Sequence, residues 1–324
     1  MRRLLIICAL LVALAAPVQV RPEQAGKPYR IGYLTPWYST SNAALRLALL
    51  DALRARGLRE GEEVVFESRY ADGRFEQLGE LAAQLAQLRV DVIVALSIPA
   101  GLAARGATST IPIVVAANGD LAESGLVADA ARPGGNVTGV QLVRPELAVR
   151  QLEILAQLVP GATRFAYLGN PDIPSDVALF RVLEGRAAAA RVAMHLLPAK
   201  SESDYRAVFP RVTEQHIQGL IVGASVAVWD VARSIVRHTA QNKVPAIYPG
   251  REFVEAGGLV SYFVSASQQG QLVAAYVDRI LKGARPGDLP VELNGRYELT
   301  INLRTARTLG LTIPPALRAQ AADR

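Results

Sequence analysis

Histidine and cysteine are nearly missing from this chain: 324 residues hold three of the first and one of the second. Cys8 lies inside an apolar run, Leu4 to Ala16, so disulfides, thiol catalysis and cysteine-ligated metals drop out for the remainder. His195 falls in an expected strand, His216 near an expected helix end and His238 within an expected helix. None stands on a loop where a strand hands over to a helix, so structural roles are expected for all three. No dinucleotide or phosphate-loop glycine fingerprint occurs, and no spacing of His, Asp and Glu suggests a metal. Basic blocks are absent as well. The formal charge of +6 is interleaved with acidic residues, as in Arg54-Ala55-Arg56-Gly57-Leu58-Arg59-Glu60-Gly61-Glu62-Glu63, which describes a mixed solvated surface and not a nucleic-acid footprint.

At 51% hydrophobic and 20% charged residues the chain is globular and long enough for two domains. It begins with Arg2 and Arg3, then the apolar run, too short to cross a bilayer, then Ala13-Leu14-Ala15. Residues 1–16 therefore read as a secretory signal cleaved after Ala15 or Ala16, which leaves a periplasmic or secreted protein without a membrane span.

Beyond the signal, strands and helices alternate. Tyr29 to Leu34, Val64 to Ser68, Asp91 to Leu96, the run from Ile111 and Val137 to Gln141 read as strands. Leu45, Leu49 and Leu53 mark one intervening helix, and Leu78, Leu81, Leu85 and Leu88 another. Ser124 to Ala131 is expected to be a packing helix. Continuous runs such as VIVAL and IVV argue for a parallel sheet covered on both faces. After a helix from Pro145 the pattern repeats, with strands at Arg164 to Leu168, Val192 to Leu197, Gly219 to Val222, Val244 to Tyr248 and Leu259 to Phe263. A helix follows over Gln268 to Lys282, then a strand over Tyr297 to Leu303. The expected fold class is α/β: two Rossmann-like lobes with parallel sheets, joined by a hinge that the chain crosses several times. The expected division is lobe 1 over 28–140, lobe 2 over 141–257, a return to lobe 1 over 258–285, and a strand and helix over 286–324 that cross back to lobe 2.

Polar and aromatic residues gather just past the strand ends, where open parallel sheets bind ligands. Ser97 and the amide groups of a helix opened by Pro99 can hold a carboxylate. Asp120 or Glu252 can pair with an ammonium group, with Arg251 beside the latter, and Asn118, Asn170 and Ser225 can fix orientation. Trp37, Tyr38, Tyr248, Phe253 and Tyr262 offer walls. Asp120 is equally suited to cap the segment that follows it. Tyr262 and Phe263 alternate along a strand, so at most one faces the crevice. Gly223-Ala224-Ser225-Val226-Ala227 approaches a nucleophile elbow without its last glycine, and His238 is badly placed to serve as its base. A serine hydrolase is thus a minor alternative to binding without catalysis, cofactor or metal. Asn136-Val137-Thr138 matches a glycosylation acceptor by chance.

Four stretches in order, IPIVVAANGD with SGLV and RPGGNVTG, VPAIYPGREFVEAGGLVSY, AYVDRILKGARPGDLPVE and INLRTARTLGLTIP, resemble the periplasmic ABC-transporter substrate-binding proteins of the tryptophan or tyrosine uptake type, from about Tyr29 to Pro315. The resemblance implies a type I periplasmic binding protein fold that closes on a small solute. It implies delivery to a permease driven by a cytoplasmic ATPase, the only link to a membrane. It points to the loops Ser97-Ile98-Pro99-Ala100, Asn118-Gly119-Asp120, Asn170-Pro171 and Tyr248-Pro249-Gly250-Arg251-Glu252. An aromatic or apolar amino acid is one solute it suggests; a sensory receptor serving a signalling partner shares the same plan. Leu121 and Phe263 depart from the family pattern, which usually has proline and glycine there, and leave the solute open.

Overall fold

The computed structural model describes residues 27–40, 43–224, 228–229, 231–294 and 296–321. The expected signal and Cys8 lie outside them. The first sheet is built from β1 (Tyr29–Thr35), α1 (Ala43–Arg54), β2 (Val64–Tyr70), α2 (Leu78–Gln87), β3 (Val92–Leu96), α3 (Ile98–Ala107), β4 (Ile113–Ala117) and β5 (Val137–Gln141). The second follows with α4 (Pro145–Leu158), β6 (Arg164–Gly169), α5 (Pro174–Ala189), β7 (Ala193–Pro198), α6 (Glu202–Glu214), β8 (Gly219–Val222), α7 (Ala232–Gln241), β9 (Ala246–Tyr248), α8 (Arg251–Glu255) and β10 (Val260–Phe263). The chain then returns through α9 (Ala266–Leu281) and β11 (Glu292–Leu293), and ends with β12 (Glu298–Ile301), α10 (Leu303–Thr308) and α11 (Pro315–Gln320).

Among the described residues both sheets have six strands wound the same way, β11-β5-β4-β3-β1-β2 and β12-β10-β9-β8-β6-β7, and the β10–β12 pair alone is antiparallel. Strand direction dictates two dry faces, and the residues obey it. In β3, Val92, Val94 and Leu96 join one core and Ile93 and Ala95 the other. In β6, Ala166 and Leu168 face one side, Phe165 and Tyr167 the opposite one. Winding of this kind reverses direction between β1 and β3 and between β6 and β8, opening a crevice at the carboxyl ends of those strands.

The division differs from the expected one. β10 pairs with β9 and β12, so the second lobe continues to Phe263; the returning segment is 266–293, because α9 packs on α1 and β11 pairs with β5. The chain passes between lobes at 142–144, 264–265 and 294–297. Asn294 ties the three together. Its side chain accepts from Gln268 Nε2 at 2.9 Å and donates to the carbonyls of Leu142 (3.4 Å) and Arg296 (2.9 Å), and its backbone N–H donates to Gln141 at 2.9 Å. At 2% exposed, these bonds are what make it tolerable there.

Two other expectations fail locally. Residues 121–131 form turns and bends instead of a helix. Asp120 Oδ1 accepts from the N–H groups of Ala122 and Glu123, and Asp129 Oδ1 from those of Ala131 and Arg132, while Gly125 adopts φ +74°. Side chains that bond their own backbone outcompete the helix here. The last strand stops at Ile301 because Asn302 caps α10, accepting from Thr305 N at 3.0 Å. Around the glycosylation match, Asn136 donates to the carbonyls of Thr108 and Ile111 and Thr138 to that of Leu289, so the triplet is used structurally.

Candidate functional site

The two carboxyl edges meet. Asn118, just past β4, donates from Nδ2 to the carbonyl of Ala224, just past β8, at 3.3 Å. A methyl built on Gly119 would lie 2.7 Å from Ile98 Cδ1 of its own lobe and in ordinary contact, 3.7 Å, with Ser175 Cβ of α5, so a longer side chain here would meet the other lobe. One apolar cluster spans the junction: the first lobe's core is packed by Trp37 from its own side and by Leu179, Ala224, Trp229 and Tyr262 from the other.

Trp37 follows β1 at the first reversal point. It is half-buried, and its indole Nε1 is shut off from solvent with no hydrogen-bond partner. An unpaired buried donor is costly, and a ligand acceptor would relieve it. Ser97, past β3 at the same reversal point, has φ +132°, a region rare for any residue but glycine. Its Oγ accepts from Ala100 N at 3.2 Å, which caps α3, with Pro99 exposed in the first turn. Backbone strain at a strand end beside an open helix start is a recurring mark of functional loops.

On the second lobe, Asn170 follows β6 at the matching reversal point. Its Oδ1 accepts from Asp172 N at 2.9 Å and its N–H donates to Asp176. Trp229, which the sequence reading overlooked, sits edge-on to Phe253 (5.4 Å between centroids) and 6.3 Å from Phe263. A methyl on Gly250 would lie 2.5 Å from both the Trp229 ring and Glu252 Oε2, so that carboxylate and that ring flank one turn. Glu252 is reachable by solvent yet ringed by protein atoms; this desolvation, with Glu255 nearby, pushes its carboxyl above the usual value. Loss of water around a carboxylate disfavours its charged form. Tyr262 is half-buried, 5.6 Å from Tyr297, while Phe263 is buried in the junction cluster.

Several expected contacts go elsewhere. Tyr248 is 1% exposed in the second lobe's core, stacked on Phe253 at 5.3 Å and bonded to Thr239 Oγ1 at 2.7 Å. β9 alternation turns its side chain to the helices, so it cannot line the crevice. Arg251 is engaged with Glu255 (3.2 Å) and Glu298 (3.4 Å). Tyr38 is 43% exposed and leans over the Asp72-Gly73 turn. Asp120 caps its own turn. Ser225 lies outside the described residues. Leu121, the departure from the family pattern, is 1% exposed in the first lobe's core and does not reach the crevice. The chain's only two tryptophans thus flank the junction, one per lobe; their scarcity was the signal that could have located Trp229. Among the described residues no group of His, Cys, Asp and Glu could hold a metal, and no helix is long and apolar enough to cross a membrane.

Residues 39–324 match the family model described as ABC transporter substrate binding protein. The chain is 25% identical over 276 residues to a tyrosine-binding protein of Clostridioides difficile strain R20291, covering 81% of this chain and 75% of that one. It is similar to the ABC domain in complex with L-Trp from Streptococcus pneumonia (TM-score 0.83, 24% identity, 91% and 99% of the two chains). It is less similar to the ligand-free, open structure of a substrate-binding protein with adhesive properties from Clostridium difficile (TM-score 0.69, 22% identity, 91% and 98%).

Proposed function

Because the chain belongs to the ABC transporter substrate-binding protein family, we propose that its solute is an amino acid with an aromatic side chain, held between the lobes and handed to a membrane permease driven by a cytoplasmic ATPase. The observation that carries this reading is the unpartnered indole N–H of Trp37 at a junction whose other walls are Trp229 and Tyr262. The named relatives, one described as tyrosine-binding and one bound to L-Trp, support the same class.

In this reading the solute carboxylate meets Trp37 Nε1 and the start of α3 at Ser97, where helix amide groups favour negative charge. Glu252 receives the ammonium group, and Asn118 and Asn170 set orientation. Burying an aromatic ring of ~200 Å² is worth about 5 kcal/mol at ~25 cal/mol per Å². That is comparable to the freedom lost on association, so the charged contacts decide specificity. Lobe 1 is then 28–141 with 266–293, lobe 2 is 145–263 with 298–321, and the three crossings act as the hinge. Residues 1–16 direct the protein out of the cytoplasm. No catalytic step is part of this function.

Calorimetric titration with the twenty common amino acids tests the assignment. Tyrosine, tryptophan or phenylalanine should bind with micromolar or tighter affinity. Binding confined to aliphatic or charged amino acids, or turnover of any of them, would sink it.

A further inference from the structure

A buried acid stands behind the second lobe's half of the junction. Asp176, in the first turn of α5, is 4% exposed. Its Oδ1 accepts from the Tyr167 hydroxyl at 3.1 Å and its Oδ2 from Asn170 N–H at 2.8 Å. No lysine, arginine or histidine is paired with it among the described residues. The titratable groups facing it are Tyr167 from β6 and, behind that hydroxyl, Tyr205 from α6. The loop's own ion pair, Lys200 with Asp172 at 2.6 Å, is on the exposed side. Keeping a carboxylate in such a place without a cation is expensive, which makes what it holds informative.

It holds two segments. Through Asn170 it fixes the turn closed by Ile173 N to Asn170 O (3.1 Å), which leads into Ser175, the residue beside Gly119 of the other lobe. Through Tyr167 it fixes the exit of β8: a methyl on Gly223 would lie 2.6 Å from the Tyr167 hydroxyl, and Gly223 N donates to Leu168 O at 2.8 Å. The next residue is Ala224, whose carbonyl receives Asn118.

We propose that Asp176 is a positioning residue of the solute cleft: one buried carboxylate sets two of the second-lobe segments that touch the first lobe, and lobe closure depends on its being ionised. The consequence for affinity rests on the solute reading above; the link between Asp176 and Asn118 does not. Burial, opposed in part by its two hydrogen bonds, raises its carboxyl to about 6. When it takes up a proton, one oxygen becomes a donor and one of the two held groups loses its acceptor.

Titration of L-tyrosine and L-tryptophan at pH 7.5 and 5.0 tests this on the parent, Asp176→Asn and Tyr167→Phe. The parent should bind about tenfold more weakly at pH 5.0, the size of one good hydrogen bond, with a midpoint near 6. Asp176→Asn should bind about tenfold more weakly at pH 7.5, lose the step near 6, and unfold at no lower temperature. Affinity within twofold of the parent at pH 7.5, or the same pH profile with a lower melting temperature, overturns the proposal. If Asp176→Asn does not fold, Tyr167→Phe, which keeps the ring, takes its place: weaker binding at pH 7.5 supports, unchanged binding overturns. Without any solute, the Asn118 side-chain amide resonance should titrate near pH 6 in the parent. A resonance that stays still rejects the positioning role outright. Movement of Asn118 with no binding of either amino acid leaves this role standing and rejects the solute assignment instead.

Discussion

Asn118 in one lobe donates to the carbonyl of Ala224 in the other across 3.3 Å, a bond between residues 106 positions apart. Neither residue is held there by its own strand alone, so the bond reports the angle between two separately built sheets. Asn118→Ala should leave the melting temperature within a few degrees of the parent and weaken solute binding by about 1 kcal/mol, roughly fivefold, because only closure loses the bond. Equal affinity in a calorimetric titration would show that closure does not use it.

Gly119 makes the same contact sensitive to bulk. With its missing Cβ only 3.7 Å from Ser175 Cβ, Gly119→Leu should prop the lobes apart. Small-angle scattering with saturating L-tyrosine would then give a larger radius of gyration than the parent under the same conditions. An unchanged radius contradicts a steric role for this position.

Because Trp37 and Trp229 are the chain's only tryptophans and both border the junction, intrinsic fluorescence should follow binding. Solute should shift or quench emission in the parent, Trp37→Phe should retain only the Trp229 component, and Trp229→Phe only that of Trp37. A variant whose emission ignores solute would remove its remaining tryptophan from the cleft.

Tyr248→Phe separates core from cleft. It deletes one buried hydroxyl while Thr239 keeps its bond to Val236 O at 2.9 Å, so about 1 kcal/mol of stability should be lost by urea unfolding, with solute affinity unchanged. A loss of affinity larger than the loss of stability would return Tyr248 to the site.

The Asp176 carboxyl lies at about 6 in the folded chain against an ordinary 3.8. The native state therefore binds more protons between those values, and the group's contribution is fully present below about pH 4 and lost as pH rises through 6. Compared with Asp176→Asn, the parent should gain on the order of 2–3 kcal/mol of unfolding free energy between pH 7.5 and pH 4. Parallel curves for the two proteins over that range would contradict the shift.

Strand positions and the doubly covered sheets were legible because parallel pairing demands unbroken apolar runs, as VIVAL and IVV are. That Ser97, Asn118 and Asn170 stand at strand ends was legible, since each follows directly on such a run. Tyr248 was placed at the crevice because VPAIY is apolar throughout, so no polar alternation in the sequence says which way its end points. The missing helix over Ser124 to Ala131 was misread because its apolar spacing is helical, while Asp120 and Asp129 bond the backbone into turns that periodicity does not register. Trp229 comes to the junction only through packing partners from other elements, and Asp176 is buried only once α5 has folded back on β6; neither arrangement leaves a local pattern.

The same winding in both halves sets the order in which the protein can become itself. α9, which covers α1 on the first sheet, arrives after residue 265, β11 completes that sheet's edge at 292–293, and β12 completes the other at 298–301. Neither half is finished when its five consecutive strands have been made; both wait for residues 292–301. Such non-local pairing slows folding, and a nascent chain that cannot seal either core stays threadable until those two strands have been made.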